Sequence, residues 1–243
     1  MRSKFLSIFP ETKPVLGMLH LKGESQADAL RRAYQETEDM IRNGVSAVIV
    51  ENYYGTPEYV EAVLRDFDHN NVDFIYGVNL LDDDENNFRL AAEYHASFLQ
   101  LDSVAGHLTP EEDILFAQKL EEWRSNFDGA VIGGVRFKYQ PYKSGRTLEE
   151  DLHLGMERCD AIAVTGEGTG MMTDVEKIKS FRSITGNFPL VVAAGVTPES
   201  CREQLVYADA SIVGSYFKDT YKSEGDVDPS HVKQLMEAVR ACR

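Results

Sequence analysis

Short apolar runs recur along this chain at intervals of about 30 residues, the size of one strand–helix unit. Eight runs, several rich in Val and Ile, are predicted to be strands: residues 15–19, 47–51, 74–79, 98–102, 130–138, 161–165, 190–194 and 210–214. Between them, residues of one face recur at steps of three and four, as at Ala27, Leu30, Tyr34, Thr37 and Ile41. This spacing is typical of amphipathic helices. The alternation therefore predicts an α/β fold with a parallel sheet.

Eight units in 243 residues favour a closed (β/α)8 TIM barrel. An open, doubly wound sheet is the alternative, but its dinucleotide-binding fingerprint is absent, since Gly17 and Gly23 have the wrong spacing for GxGxxG. No Pro/Ser-rich linker or low-complexity tract divides the chain. We therefore expect residues 1–243 to form a single barrel domain.

Helix starts are marked by capping side chains. A capping residue precedes proline at Thr56-Pro57, Thr109-Pro110, Thr197-Pro198 and Asp228-Pro229. Capping-box spacing occurs in three pairs: Thr109 with Glu112, Thr147 with Glu150, and Thr173 with Glu176. The acidic run at residues 82–85 is interpreted as a charged helix start in preference to a site for a divalent ion.

Composition limits the partners of the chain. The formal net charge of −15 argues against nucleic acid and against an anionic membrane surface. No apolar run is long enough to span a membrane, and the opening stretch is too short for a secretory signal before Pro10. The cysteines, Cys159, Cys201 and Cys242, lie far apart and form no CxxC motif. This pattern predicts a reduced, cytoplasmic protein without disulfides or structural zinc.

The strand ends carry the candidate functional residues. In a TIM barrel, alternate residues of each strand face the interior, and function concentrates at the carboxyl ends. With the apolar residues of each strand facing the helices, Gln100 and Arg136 point inward. The same parity predicts a ring around one mouth: His20, Glu51, Asn79, Asp102, Lys138 and Thr165.

Most of these residues also have a structural interpretation. Asp102 and Lys138 would equally form an ion pair that fills the barrel. His20 would cap a strand end, and Asn79 would bind the backbone of its own loop, either alone or in addition to a functional role. Glu51 ends a strongly apolar strand, and a buried glutamate is rare without a partner. A functional role is therefore favoured for Glu51.

Glycines after the last strands predict a phosphate site. Gly195 follows the seventh apolar run, and Gly214 with Ser215 follows the eighth. Loops at these two places commonly bind phosphate through backbone N–H groups. Gly166 and Gly168, in the glycine-rich loop after the sixth run, would line the same rim. The alternative is that these glycines only make tight turns. We expect a small phosphorylated metabolite as the ligand.

Six segments together resemble the BtpA family, which includes the SgcQ-type proteins of bacterial sugar-utilisation clusters. They are KPVLGMLHLKG (13–23), AVIVENYYGTPEYV (47–60), YGVNLLDDD (76–84), AIAVTGEGTG (161–170), AAGVTPES (193–200) and SIVGSYFKD (211–219). The resemblance implies a TIM barrel similar to the ribulose-phosphate-binding barrels. It also implies a link to photosystem I biogenesis through the cyanobacterial founding member. The family motifs fall here on Gly17, His20, Glu51, Asn52, Gly77, Asn79, Gly166, Gly170, Gly195, Gly214 and Lys218.

The chain departs from the family pattern at two places. Asp102 lies where the family usually has Asn, and Tyr139 follows Lys138 where a Lys-His pair is usual. Some family members are labelled phosphoribosylanthranilate isomerase. Enzymes of that type resemble one another in using a cysteine base at the end of the first strand, where this chain has His20. That activity is therefore disfavoured.

The leading hypothesis is a sugar-phosphate isomerase or lyase. Glu51 would be the general acid/base, and Lys138 would polarise a carbonyl or form a Schiff base. Asp102 and His20 would orient groups and transfer protons, while Asn79, Thr165 and Arg136 would bind substrate. No cofactor is predicted.

Two alternatives stay open. One is a non-catalytic biogenesis or binding factor of the BtpA type. The other is a metal-assisted enzyme in which Glu51 and Asp102 bind a divalent ion. Barrels of this kind often form homo-oligomers, but nothing in the sequence identifies a contact face.

Overall fold

Eight parallel strands close into one barrel in the computed structural model, which describes residues 3–243. The strands are β1 Val15–His20, β2 Ala47–Glu51, β3 Tyr76–Asn79, β4 Phe98–Ala105, β5 Ala130–Val135, β6 Ala161–Val164, β7 Leu190–Val192 and β8 Ala210–Val213. Each pairs with its neighbours in chain order, and β8 pairs with β1. The predicted TIM barrel is confirmed, and the open sheet is excluded.

Helices alternate with the strands. They are α1 Lys4–Ser7, α2 Gln26–Arg42, α3 Pro57–His69, α4 Asp84–Glu93, α5 Pro110–Ser125, α6 Leu148–Arg158, α7 Val175–Thr185, α8 Cys201–Leu205 and α9 Pro229–Arg240. A short 3-10 helix, Ser215–Phe217, follows β8. No helix in residues 3–243 has the length and apolar character needed to cross a membrane.

The predicted helix caps are confirmed in part. Thr109 and Thr147 both form complete capping boxes at the starts of α5 and α6. The box predicted at Thr173 is wrong, because Thr173 donates its hydroxyl hydrogen bond to the carbonyl of Ala194 instead. Asp174 caps α7 in its place.

Of two other starts, one differs in detail from the prediction and one agrees with it. The helix after the Thr197-Pro198 pair begins only at Cys201, with Ser200 as its N-cap residue. The acidic run at residues 82–85 is a helix start, as predicted, because Asp83 caps α4 and accepts a hydrogen bond from the Asn86 N–H.

Side chains alternate between two apolar layers. Leu16, Met18 and Ile49 pack inside the barrel. Val48, Val50 and the apolar faces of the helices form the outer layer. This alternation turns the last residue of β1 and of β2 inward, so His20 and Glu51 reach the mouth.

The N-terminal segment closes the opposite end of the barrel. Phe5 of α1 and the following Phe9 are fully buried in the interior layer. Their rings lie 5.4 Å apart at the centroids, and the Phe9 ring lies 6.3 Å from that of Phe98. The apolar residues of the opening stretch therefore act as a plug beneath the barrel, which leaves the carboxyl end as the open mouth.

Candidate active site

A cavity of about 530 Å³ opens at the carboxyl ends of the strands. Its volume lies in the range typical of small-molecule sites. Of the predicted ring, His20, Glu51, Asp102 and Lys138 line it directly. Asn79 and Thr165 lie behind this wall and hold those residues in place.

Glu51 and His20 form the most buried polar pair in the mouth. Both side chains are about 5% exposed, and Glu51 Oε2 lies 3.4 Å from His20 Nε2. Glu51 Oε1 accepts a hydrogen bond of 2.8 Å from Asn79 Nδ2. The register places them side by side, since His20 of β1 pairs with Glu51 of β2.

The surroundings keep both members of this pair neutral. Burial, together with the nearby Asp102 carboxylate, raises the pKa of Glu51 to about 8. Burial, reinforced by the positive charge of Lys218, lowers the pKa of His20 to about 3. At neutral pH, Glu51 is therefore protonated and the His20 imidazole is uncharged.

Hydrogen bonding assigns the tautomer of His20. Its Nδ1 lies 3.3 Å from the carbonyl oxygen of Ser223, which can only accept a hydrogen bond. Nδ1 therefore carries the proton, and Nε2 faces Glu51 as an acceptor. The carboxylic acid of Glu51 can then donate a hydrogen bond to Nε2. One proton thus lies between Glu51 Oε2 of β2 and His20 Nε2 of β1.

Asn79 connects the two carboxyl groups of the mouth. Its Nδ2 also lies 3.3 Å from Asp102 Oδ1, which accepts a second hydrogen bond of 3.2 Å from Gln100 Nε2. The interpretation that Asn79 binds the backbone of its own loop is therefore wrong. Burial raises the pKa of Asp102, while these two amide donors oppose that effect.

Lys138 reaches the cavity without an ion pair. No carboxylate in residues 3–243 lies within 4.0 Å of its Nζ, so the predicted ion pair with Asp102 does not form. Its backbone N–H donates to Thr165 Oγ1 at 2.9 Å. Thr165 is 1% exposed and lies outside the cavity lining, so it fixes the chain at Lys138.

Arg136 does not point into the mouth, and this part of the prediction is wrong. β5 ends at Val135, and Arg136 adopts a left-handed conformation with φ of 48°. The alternation of the strand ends at this turn, and both Phe137 and Lys138 line the cavity. Arg136 Nε binds Asp151 Oδ2 of α6 at 3.0 Å, outside the barrel interior.

The predicted phosphate loops meet the cavity at Gly195, Gly214 and Ser215. In the described part of the chain, the backbone N–H groups of these three residues donate no hydrogen bond. Gly166 and Gly168 do not line the cavity, although Gly170 of the same loop does. The glycine-rich loop therefore reaches the cavity at a point different from the predicted one.

Two of these glycines are required by close packing. Gly195 has φ of 63°, and a Cβ there would lie 2.2 Å from Met172 Cα. A Cβ at Gly214 would lie 2.7 Å from His20 Cε1. The tight-turn interpretation is therefore partly correct for Gly195, while Gly214 makes room for the imidazole of His20.

Aromatic residues form a rim that the sequence analysis missed. The Tyr53 ring lies 4.9 Å from that of His20 at the centroids, and its hydroxyl lies 3.1 Å from Thr169 Oγ1. Tyr139 accepts a hydrogen bond from the Thr169 N–H. The two tyrosines connect the loops after β2 and β5 to the glycine-rich loop. The adjacent pair Tyr53-Tyr54, which begins two residues after Glu51, was the available sequence signal.

A buried ion pair supports the loop after β8. Lys218 is fully buried, and its Nζ lies 2.7 Å from Glu36 Oε2 of α2. The pair links α2 to the segment that follows Gly214 and Ser215. Lys218 therefore acts behind the cavity, where its charge helps to keep His20 neutral.

A smaller side pocket of about 160 Å³ adjoins the main cavity and shares Asp82 and Asp102 with it. Asp84 and His107 also line this pocket. Burial, with Asp102 nearby, raises the pKa of Asp84 to about 6. No group of three or more Asp, Glu, His or Cys residues in residues 3–243 is arranged to hold a metal ion. Glu51 and Asp102 thus have no third ligand of these types.

Comparison with known proteins identifies relatives of the whole chain. Residues 11–241 match the BtpA family. The photosystem I biogenesis protein BtpA of Synechocystis is 23% identical over 256 residues, which cover 95% of this chain and 89% of that protein.

Solved structures share the barrel. Phosphoribosyl anthranilate isomerase from Thermus thermophilus superposes with a TM-score of 0.63 at 17% identity, covering 95% of this chain and all of that one. The native KDPGal structure gives a TM-score of 0.61 at 14% identity, with 94% and 95% coverage. These similarities establish the fold.

Proposed function

Because this chain belongs to the BtpA family, we propose that it is an enzyme acting on a small phosphorylated sugar or a related metabolite. The reaction is an isomerisation or the cleavage of a carbon–carbon bond. One observation carries the proposal: a buried, neutral Glu51–His20 pair lines a cavity that is also lined by three residues whose backbone N–H groups donate no hydrogen bond in the described part of the chain. A proton-transfer group and an anion-binding group thus share one cavity.

Glu51 supplies the proton transfer. Its pKa of about 8 leaves it protonated at neutral pH, yet close enough to ionisation to act as acid and then as base. His20 Nε2, 3.4 Å away, accepts the hydrogen bond of the acid form and orients the carboxyl group. Asn79 holds the other oxygen of Glu51. This arrangement suits protonation and deprotonation next to a substrate carbonyl.

Lys138 stabilises the charge that develops on the substrate oxygen. Its amine has no carboxylate within 4.0 Å in the described part of the chain, so its positive charge is available to a ligand in the cavity. In an isomerisation it would polarise the carbonyl. In a cleavage it would form a Schiff base with that carbonyl, releasing water.

The phosphate is held by the N–H groups of Gly195, Gly214 and Ser215. Backbone amides converging on one point bind anions without a basic side chain. This local arrangement is compatible with the net charge of −15. The phosphoribosyl substrate in the name of the similar isomerase supports a phosphorylated ligand. That enzyme's own activity is not proposed, because β1 contains no cysteine.

We place the reaction in the cytoplasm on the basis of the three free thiols.

The test is a screen of phosphorylated sugars for thermal stabilisation, followed by product analysis. A ligand that binds only the folded protein raises its melting temperature. We expect Glu51→Gln to keep ligand binding and to lower turnover at least about a hundredfold. Glu149→Gln, at an exposed position of α6, is the matched control. Unchanged turnover in Glu51→Gln would refute the assignment.

Borohydride distinguishes the two reaction types. A Schiff base at Lys138 would be reduced to a stable secondary amine, which adds the mass of the bound ligand minus one oxygen atom. Cleavage through Lys138 predicts this adduct on the peptide that contains it, and its absence in Lys138→Met. If the reaction is an isomerisation, borohydride added during turnover should give no adduct at Lys138.

The name of the Synechocystis relative favours one alternative, a biogenesis factor without catalytic activity. That alternative predicts that Glu51→Gln and Lys138→Met leave the protein's biological role intact. The enzyme proposal predicts that both variants lose it.

A further inference from the structure

Gln100 carries a buried acceptor that no other described residue uses. The residue lies on β4, is 4% exposed and lines the main cavity. Its Nε2 donates to Asp102 Oδ1 at 3.2 Å, but its Oε1 has no hydrogen-bond partner in residues 3–243. An unpaired buried carbonyl oxygen is costly, and such atoms are rare in proteins.

The orientation of this amide is fixed by chemistry. Asp102 Oδ1 accepts hydrogen bonds from both Gln100 Nε2 and Asn79 Nδ2. Turning the Gln100 amide over would place two oxygen atoms against each other. Asp102 therefore keeps the nitrogen of Gln100 on its own side, and Oε1 stays without a partner among the described residues in the wall of the cavity.

Gln100 also lies opposite the anion-binding loops. In the closed strand order, β4 is four strands away from β8, on the far side of the barrel. The unused N–H groups follow β7 and β8, whereas the β4 side presents acceptors. Asp82 and Asp84 in the adjoining side pocket add carboxylates that have no cation within 4.0 Å in the described part of the chain. These acceptors next to β4 thus lie across the cavity from the unused N–H groups.

We propose that Gln100 is a specificity-determining residue, whose Oε1 accepts a hydrogen bond from a hydroxyl group at the end of a sugar phosphate remote from its phosphate. This inference rests on the proposed function. It selects a hydroxylated terminus, because a carbonyl or carboxylate oxygen there would face Gln100 Oε1, which is itself an acceptor, and no hydrogen bond could form between them. The phosphate and this hydroxyl together fix the direction in which the substrate enters.

The test compares two kinds of ligand on the full chain. Binding of inorganic phosphate reports the anion site alone. Binding of D-ribulose 5-phosphate, D-fructose 6-phosphate and D-tagatose 6-phosphate, each with a hydroxymethyl group at the end remote from its phosphate, reports the anion site and the hydroxyl contact together. Isothermal titration and phosphorus NMR measure the dissociation constants. The variants are Gln100→Met, which has similar volume without the acceptor, and Gln118→Met, at an exposed position of α5, as the control.

We expect at least one of these sugar phosphates to bind the unmodified protein more tightly than inorganic phosphate does. Gln100→Met should weaken that ligand about tenfold, consistent with one lost buried hydrogen bond, and leave inorganic phosphate unchanged. Gln118→Met should change neither. Gln100→Asn, which withdraws the acceptor by one methylene group, should show the same loss if the methionine variant does not fold.

Two results would overturn the inference. One is a sugar phosphate that keeps its full advantage over inorganic phosphate in Gln100→Met and Gln100→Asn. The other is the absence of any such advantage in the unmodified protein. If inorganic phosphate and the sugar phosphates all fail to bind, the phosphate site of the proposed function is wrong, and the inference falls with it.

Discussion

At the scale of the residue, the proposed chemistry depends on how Glu51 is buried. An ionised carboxylate inside a barrel loses its hydration, so burial favours the protonated acid. Asp102 adds a repulsive charge, and the hydrogen bond from Asn79 only partly compensates. The consequence is a carboxyl group that can give up a proton near neutral pH.

The first prediction concerns the stability of the protein as a function of pH. Because the pKa of Glu51 rises from 4.5 to about 8 on folding, its contribution to stability is complete below about pH 4.5 and is lost as the pH rises through 8. Relative to Glu51→Gln, which mimics the neutral acid, the unfolding free energy should fall on the order of 4 kcal/mol between about pH 4.5 and pH 9. Urea denaturation of both proteins measures it, and a constant difference across this range would contradict the assignment.

The fate of individual residues shows what the sequence could predict. Parity along β1, β2 and β4 correctly predicted that His20, Glu51 and Gln100 face inward, because regular strands alternate strictly. The same rule failed at Arg136, because β5 ends at Val135 and Arg136 adopts a left-handed conformation, so the strand alternation no longer applies there. The left-handed conformation of Arg136 is strained, and its ion pair with Asp151 of α6 offsets that strain. Because Asp151 is distant in sequence, no local pattern marks this conformation.

At the scale of the element, capping distinguishes helices with similar sequence signals. Thr147 accepts a hydrogen bond from the Glu150 N–H at the start of α6, while Thr56 makes no side-chain cap bond at the start of α3. The sequence predicted a capping residue at both. The difference depends on side-chain rotamers, which local sequence does not determine.

This difference gives the second prediction. Thr147→Ala should lower the free energy of unfolding by about 1 kcal/mol, because the cap bond is lost. Thr56→Ala is the matched control and should cost much less. Chemical denaturation measures both, and equal costs would show that the cap bond at Thr147 does not contribute.

The loop after β8 gives the third prediction. Gly214→Ala would place a Cβ 2.7 Å from His20 Cε1, so the imidazole must move away from Glu51. We expect phosphorylated ligands to bind Gly214→Ala at least about tenfold more weakly than they bind the unmodified protein. Gly186→Ala, at a glycine with no atom within 4 Å of its added Cβ, should bind these ligands normally. Thermal shift titrations of both variants measure these affinities. Normal ligand binding by Gly214→Ala would show that the close packing of Gly214 against His20 is not needed.

At the scale of the whole molecule, the barrel has a plugged end and an open end. Alanines on the inner faces of β2, β5, β6 and β8 leave space that Phe9 and Phe98 fill from below. The strand–helix alternation predicted the closed barrel well, because eight repeats constrain the topology strongly. The plug was not predictable from periodicity, because it is formed by the segment that precedes the first repeat.

The fourth prediction tests the plug. Phe9→Ala should lower the free energy of unfolding by about 3–5 kcal/mol, since it leaves a cavity inside the barrel. Leu115→Ala, at a leucine that is 63% exposed on α5, should stay within about 0.5 kcal/mol of the unmodified protein. Urea denaturation compares them, and a small cost at Phe9 would mean that the N-terminal segment is not part of the folded core.

The most direct measurement is a crystal structure of the protein soaked with inorganic phosphate and, separately, with D-ribulose 5-phosphate. The account predicts a phosphate group within hydrogen-bond distance of the N–H groups of Gly195, Gly214 and Ser215, with the sugar extending toward Glu51 and Gln100. Both ligands bound away from these amides, or a mouth that excludes them, would contradict it.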